Sequence, residues 1–480
     1  MRKILIYLAI LNVSNTSYAQ GIDNLWLLGY GGGATNINFI SSSPNIYSTN
    51  RMMNISVTLG LITDNSGNLL FYSNGCYIAN ALNDTMYNGN GLNPNSCALN
   101  VCPYGNTITD GNIVIPDPGN PNRYYLFHET CSWISPSFEP TELYYSVIDM
   151  TQQGGLGAVV QKNVVILNSG TLNWGFLTAV KHANGRDWWI AVHKLGNNLF
   201  HTLLLTPDGL QGPFTQSIGT SFQFSAGGQT VFSPDGSKLA TSTWGFGNGL
   251  TITLFEFDRC TGQFRNEMIL DSINIGTCGI AFSPNSRFLY CTPLDSIIQY
   301  DMNANNISSS KIKVAMRDSF TYFQFAELAY NQKIYIISGG SSFSSIENPD
   351  SLGLACNVQM NSIHLPHINH GTIPNYPNYR LGPVIGSVCD SLTGINDKNA
   401  FQLSLKVFPN PSATGIFHFQ FNDIREQIQD LEISDVSGRI VFAIKKNIYK
   451  VNISGVSSGI YFYSVITKAG KKFKGKLIRD

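Results

Sequence analysis

One local design recurs six times along this chain: an apolar or aromatic strand, a tight turn rich in Asp, Asn, Pro and Gly, then a second strand. It is found as ITDNSGNLLFYS (62–73), IPDPGNPNRYYLFHE (115–129), KHANGRDWWIAVHK (181–194), FSPDGSKLATST (232–243), FSPNSRFLYCTP (282–293) and AYNQKIYIIS (329–338). Such turns need these residues, because Gly and Asn tolerate positive φ and Pro pre-sets the first turn angle. With Phe71, Tyr125, Trp189, Ala240, Tyr290 and Tyr335 as equivalent positions, the steps are 54, 64, 51, 50 and 45 residues. A four-stranded propeller blade repeats at roughly 40–50 residues, more with loop insertions. The pattern therefore predicts a β-propeller over residues 20–390 with about seven blades, six or eight being the neighbouring counts. NLWLLGYG (24–31) is expected to pair with the last strands, closing the ring through the two termini and removing open sheet edges. A β-sandwich is the competing architecture, and the regular period disfavours it.

Composition agrees with an all-β chain: Gly is 45 residues, aromatics 12% and charged residues only 12%. The formal net charge of zero conceals an asymmetry, since residues 397–480 carry 13 Lys/Arg against 7 Asp/Glu while the rest is acidic. An acidic large domain argues against a nucleic-acid footprint. Residues 1–19 read as a signal peptide: Arg2 and Lys3, an apolar run from Ile4 to Val13, then Ser17-Tyr18-Ala19 as the cleavage site. That run is too short to span a bilayer, and no later stretch approaches 18 uninterrupted apolar residues, so no transmembrane segment is expected.

Two resemblances add to this reading. FSPDGSKLA and AFSPNSRFLY resemble the repeats of WD-like propellers, of the kind found in TolB-type and lactonase-like proteins. GNLLFYSNG (67–75), MYNGNGL (86–92), GGLGAVVQKNVVIL (154–167), LTAVKHANGRDWWI (177–190) and IPNYPNYRLGPVIGSVCD (373–390) resemble a family of exported Bacteroidetes propellers without an assigned activity.

Near the C-terminus, VFPNPSATGIFHFQF (407–421), LEISDVSGRIV (431–441) and VSSGIYFYSVITKAGKKFKGKLI (456–478) resemble the type A C-terminal sorting domain of type IX (Por) secretion cargo. The matching positions are Pro409, Asn410 and Pro411, then Gly438, then Gly459, Ile460, Tyr461 and Phe462. By its own pattern this stretch is a small Ig-like β-sandwich: HFQF and YFYSV alternate, turns fall at Ser437-Gly438 and Ala469-Gly470, and a Lys-rich edge strand ends the chain. The expected organisation is a signal peptide (1–19), propeller (20–390), linker (391–402) and sorting domain (403–480). The resemblance implies Sec export through the periplasm, recognition of residues 403–480 by the type IX outer-membrane translocon, and delivery to the outer cell surface or medium.

Nine cysteines in an exported chain make disulfides chemically available, with at least one thiol left over. Cys278–Cys291 and Cys97–Cys102 are the pairs favoured by proximity; buried single thiols are the alternative.

Motifs with chemical meaning are few. Gly455-Val456-Ser457-Ser458-Gly459 satisfies G-x-S-x-G but lacks the following helix and a downstream His, so it reads as a strand-to-strand turn. His364, His367 and His370 have the spacing of a three-imidazole set, yet Pro366 forbids a regular helix through them, and a polar loop is the better reading. GYGGGATN (29–36) has no strand-then-helix context for a nucleotide and reads as a flexible or bulged strand end. Trp133, Trp174, Trp188, Trp189, Trp244 and Tyr376 could stack on sugars, although rings in propeller strands are usually core. Asp110, Asp117, Glu139 and Glu142 show no spacing of an acid/base pair. No catalytic, cofactor-binding or metal residue is assigned, and the cofactor question stays open.

Two functions of different class follow. The first is binding or scaffolding, with a surface polysaccharide or a protein as ligand. The second is a lactonase-like or glycan-cleaving enzyme. Carboxylates or histidines clustered at the central channel would favour the enzyme; a merely polar channel would favour binding.

Overall fold

The turn chemistry read from the sequence is realised directly. In FSPDGSKLA, the Ser233 hydroxyl and the Ser237 amide both donate to the Asp235 carboxylate, at 2.6 and 2.9 Å. Gly236 closes the turn at φ +72°, where a Cβ would lie 2.7 Å from Arg259 and 2.8 Å from Val180, so only Gly fits. The computed structural model describes residues 21–390 and 405–480, except 32, 135–136, 169, 223–227, 246–248, 274–277, 422–426 and 469–471. The expected signal peptide (1–19), the expected linker (391–402) and the Ala469-Gly470 turn lie outside the described residues.

The chain divides into two compact units, 1–393 and 394–480. In the first, seven blades follow one another: residues 25–49, 60–90, 112–167, 178–217, 230–273, 278–316 and 326–364. Blades 2 to 7 have four strands each in sequence order, while blade 1 has three. Blades 2 and 3 touch at their outer edges through a single parallel pair, Ala158 with Tyr87. Each of the six repeated hairpins forms the first two strands of one blade, from blade 2 to blade 7.

Six apolar clusters tie each blade to the next. Leu27, Leu61 and Tyr72 join blade 1 to blade 2. Phe71, Ile113, Leu177 and Ile190 run through blades 2, 3 and 4, Phe200 and Phe255 join 4 to 5, Ala240 and Ile280 join 5 to 6, and Tyr290 and Ile336 join 6 to 7. The last cluster closes the cycle: Trp26 and Phe39 of blade 1 pack with Tyr335 and Phe343 of blade 7. Large side chains of this kind each contribute roughly 1.5–3 kcal/mol on burial, so the ring is held chiefly by these seams.

Closure differs from the expectation. Leu25–Leu28 pairs with Ala34–Asn38 of its own sheet and not with the last strands. The reason is the glycine turn: Gly29 at φ +142° lets the chain fold straight back, and a Cβ there would meet the Gly33 carbonyl at 2.2 Å. Of GYGGGATN, Gly29–Gly31 and Gly33 lie between the two strands and Ala34–Asn36 begin the second. The first and last blades meet by packing, with Tyr335 6.0 Å from Trp26 and 4.9 Å from Phe39 between ring centroids.

Both favoured disulfides are corrected. The bonds are Cys76–Cys102, Cys97–Cys131 and Cys260–Cys389, with Cys278, Cys291 and Cys356 free and buried. Strand register sets Cys278 opposite Pro293 and Cys291 opposite Ile280, so the two thiols are diagonal neighbours, and diagonal positions exceed the Cα span a disulfide accepts. Cys97 lies in the helix Ser96–Val101 and Cys102 directly follows it, and five residues of helix turn point the two side chains about 140° apart.

The second unit is a two-sheet sandwich. Phe417, Phe419, Leu431, Ile433, Val451, Val465 and Leu477 from both sheets form its core. Lys472–Arg479 is an edge strand.

Candidate functional site

The first strand of each blade from 2 to 7 lines the ring axis, and residues 373–380 run along that axis. Pro374 and Pro377 keep this stretch, IPNYPNYR, from joining a sheet, because proline cannot donate to a ladder. Its Asn, Tyr and Arg side chains make the bonds instead. Asn375 donates to the carbonyls of Asp110 (3.0 Å, blade 3 edge) and Leu177 (2.8 Å, blade 4 edge). Tyr376 donates to Leu25 at 2.7 Å, Asn378 to Pro234 at 2.8 Å and Tyr379 to Val114 at 2.7 Å. Arg380 holds the Asp23 carboxylate with both terminal nitrogens and lies 5.2 Å above the Tyr330 ring. Only a segment on the axis can reach blades 1, 3, 4, 5 and 7 within eight residues.

Beside this segment lies a cavity of about 190 Å³. Its wall combines apolar groups (Val231, Phe282, Leu328) with Asp23, Asp110, Gln229, Glu327 and Arg380. Gln229 is fixed, its side-chain oxygen accepting from the amides of Ile280 (3.2 Å) and Ala326 (2.9 Å), so one side chain bridges blades 5, 6 and 7.

The carboxyls carry the electrostatics. Asp110 and Glu327 are 6% and 8% exposed. Burial pushes both well above the usual carboxylate range; nearby Asp110 and Asp23 raise Glu327 further, while the Thr230 amide partly offsets the effect on Asp110. Glu129 is fully buried within reach of the Asp110 charge, and burial, then that charge, raise it too. Neither Glu129 oxygen has a hydrogen-bond partner, and the Glu327 carboxyl makes none among the described residues.

The other residues singled out from sequence go elsewhere. Asp117 accepts from the Gly119 amide in a turn at 2.8 Å, and Glu142 accepts from the Tyr144 hydroxyl at 2.8 Å. Glu139 is buried on the strand Ser137–Asp149. His364 ends the last strand of blade 7, His367 lies against Gly33, and His370 stacks on Tyr30 at 4.6 Å, so the three imidazoles have three different settings. Among the described residues no group of three or more His, Cys, Asp or Glu is placed to hold a metal ion. Trp188 and Trp189 are core, Trp174 packs against Cys97, Ile108 and Cys131, and Trp133 is 60% exposed at a strand end. The Trp244 side chain lies outside the described residues. Tyr376 belongs to the axial segment. Gly455–Gly459 links two strands of the sandwich.

In that sandwich, Asn410 between Pro409 and Pro411 donates to the Lys476 carbonyl at 2.7 Å and accepts from the Ile478 amide at 2.8 Å. Gly438 takes φ +83° in its turn. Gly459 opens the strand Gly459–Thr467, where Tyr461 is buried and Ile460 and Phe462 are exposed.

Asp23, Glu327 and Arg380 were not singled out from sequence. Glu327 did leave a trace, as a lone acid in the apolar strand before the AYNQKIYIIS turn.

The family described as a secretion system C-terminal sorting domain matches residues 406–479. Such a domain implies interaction with that secretion system and export to the surface or medium; no helix among the described residues is long and apolar enough to cross a membrane. No curated protein matches the chain. Among solved structures, a candidate 6-phosphogluconolactonase from Bacteroides fragilis is 13% identical, covering 75% of this chain and 98% of its own, with a TM-score of 0.46. The Dos1 propeller is 11% identical over 73% of this chain and 78% of its own, at a TM-score of 0.39. A gluconolactonase from Xanthomonas campestris is 12% identical over 66% and 94%, at 0.32.

Proposed function

We propose that this protein is a recognition propeller, delivered to the outer cell surface or medium by type IX secretion, whose axial cavity is its ligand site. Residues 1–19 direct Sec export, and residues 403–480 are read by the outer-membrane translocon through Pro409, Asn410, Pro411, Gly438 and Gly459–Phe462. The observation that carries the binding reading is the form of the cavity, a small space walled by rigid inner strands and the axial segment, while its clustered carboxyls are the feature that favours an enzyme, the second reading. The fit of that space is to a small molecule or a single side chain of a larger surface ligand.

The test has two parts. Mass spectrometry of surface and medium fractions should find a mature chain starting at Gln20 and ending near residue 400; a periplasmic chain retaining residues 403–480 would refute the export reading. Thermal-shift screening of the full chain against small polar ligands should return hits that vanish in the Asp110→Asn/Glu327→Gln variant. Hits indifferent to that variant would place recognition away from the cavity.

A second reading is favoured by one observation. Asp23, paired with Arg380, shares the cavity with Asp110 and Glu327, in which burial favours the protonated form. A paired carboxylate beside protonated carboxyls is the equipment of acid/base glycoside cleavage. Release of nitrophenol from aryl glycosides, lost in Glu327→Gln, would move the protein to that class.

A further inference from the structure

The cavity has a charge imbalance that narrows its ligand. Three carboxyls line it, Asp23, Asp110 and Glu327, and Glu129 stands within reach of Asp110. Against them the lining has one cation, Arg380, already engaged by both oxygens of Asp23. Asp110 and Glu327 therefore share a small space of mixed polar and apolar wall with no free counter-charge. Glu327 is more than nine-tenths buried, lines the cavity and makes no hydrogen bond among the described residues. Glu327 without a donor, and Asp110 with acceptor capacity beyond the Thr230 amide, are a site awaiting donors.

Resting on the reading of the cavity as a ligand site, we infer that it takes a small organic cation, a primary ammonium or guanidinium group on an aliphatic stem, received between Asp110 and Glu327. Three features select that class. The carboxyls are pure acceptors once ionised, and ammonium and guanidinium are pure donors. Coulombic attraction is several-fold stronger in a partly buried site than in water. Val231, Leu328 and Phe282 suit the methylenes of the stem. A divalent metal ion is the poorer fit, since among the described residues no three or more His, Cys, Asp or Glu are grouped to hold one. About 190 Å³ is the liquid volume of roughly six waters, enough for a four-carbon diamine.

Binding has a consequence in protons. The groups facing the site from every neighbouring element are Asp23, Asp110, Glu129 and Glu327, with Arg380, Tyr376 and Tyr379 from the axial segment. Burial raises Asp110, Glu129 and Glu327 well above the usual carboxylate range and pushes both tyrosines upward as well, so in each case it favours the uncharged form. An arriving cation favours the ionised carboxylates. Each carboxyl that ionises gives its proton to solvent while the ligand stays protonated, so the complex forms with net proton release.

The experiment is calorimetric titration of the full chain with putrescine and with 1,4-butanediol, its uncharged counterpart, at pH 7 in two buffers of different ionisation enthalpy. Putrescine should bind at least about tenfold more tightly than the diol, a gap of about 1.4 kcal/mol, and release about one proton per complex. Asp110→Asn/Glu327→Gln should weaken putrescine more than about tenfold and abolish the release. Because proton release is read on the unmodified chain, the result stands even if the variant fails to fold. Equal binding of diol and diamine, or diamine binding without proton release, overturns the cationic class and leaves the cavity as a ligand site for neutral molecules. No binding of putrescine overturns this inference, and binding of neither compound, together with cavity-independent screening hits, overturns the ligand-site reading as well.

Discussion

Arg380 and Asp23 stand 357 positions apart in sequence and meet as a two-pronged ion pair, tying the end of the axial segment to the start of blade 1. Asp23 is almost wholly enclosed there, while a third of the Arg380 side chain reaches solvent. Since no strand is shared between the first and last blades, this pair and the Trp26 seam carry the closure.

Arg380→Ala should therefore cost about 2–4 kcal/mol, discounted from the 3–5 of a fully buried pair for the solvent at the guanidinium. Arg380→Lys should recover only part, because lysine cannot reproduce the fork. Urea unfolding measures both. A loss under about 0.5 kcal/mol in Arg380→Ala would mean that apolar packing closes the ring unaided.

How much of this was legible in the chain depends on the range of the interaction. The six hairpins lie on local turn chemistry, such as Ser233-Pro234-Asp235-Gly236, and each one marks a blade. The axial segment has no periodicity to read; its meaning comes from partners such as Val114 and Leu25, hundreds of residues away. The disulfides are illegible for the same reason, since Cys260 and Cys389 are brought together by the path of the axial segment rather than by spacing. Asp110 was noticed, but its companion Glu327 lies on a blade four positions around the ring, and only the closed fold sets them at one cavity. The alternation in HFQF (418–421), being local, was readable.

Glu129 gives a pH-dependent prediction. Burial raises its folded pKa above the unfolded value, so the folded state holds the proton more tightly. The resulting stabilisation is complete below about pH 4 and is lost as the pH rises through the raised value. Glu129→Gln should consequently be close to neutral at pH 4 and stabilising at pH 8, by about 1 kcal/mol or more. Denaturant midpoints at the two pH values decide it; equal effects at both would mean the carboxyl is ionised and satisfied in the fold.

Histidine acts in the opposite sense. Burial lowers His128 and His193 to about 3. Each then contributes stability that is present above the unfolded value near 6.5 and lost as the pH falls below it, at up to about 1.4 kcal/mol per pH unit. His193 is ringed by Phe176, Phe200 and Phe222 at 5.2, 4.6 and 4.8 Å, so His193→Phe should keep the packing. Between pH 6.5 and 5 the variant should lose stability less steeply than the parent. Parallel slopes would show that His193 does not titrate on unfolding.

The Cys260–Cys389 bond staples the chain just beyond the axial segment, where Val384 also donates to the Ala183 carbonyl at 2.8 Å. It closes a loop of 129 residues, for which the loss of chain entropy predicts about 2–5 kcal/mol. Cys260→Ser/Cys389→Ser should lower stability by that order and open residues 383–390 to limited proteolysis before the blades yield. Simultaneous cleavage of blades and tail would show that the staple holds the whole ring rather than its last segment.

Asn410 ties the first strand of the sandwich to its last through both ends of one amide, donating to Lys476 and accepting from Ile478. Because the site is exposed, water can replace these bonds in part, and Asn410→Ala should cost only about 1 kcal/mol. Asn410→Asp keeps the acceptor toward the Ile478 amide but sets a carboxylate against the Lys476 carbonyl, so it should be no better. If the translocon reads the folded edge that this amide organises, both variants should accumulate in the periplasm while the propeller stays folded, as fractionation and circular dichroism would report together. Normal delivery of both variants would mean that recognition lies elsewhere in the domain, with the exposed Ile460 and Phe462 the next residues to replace.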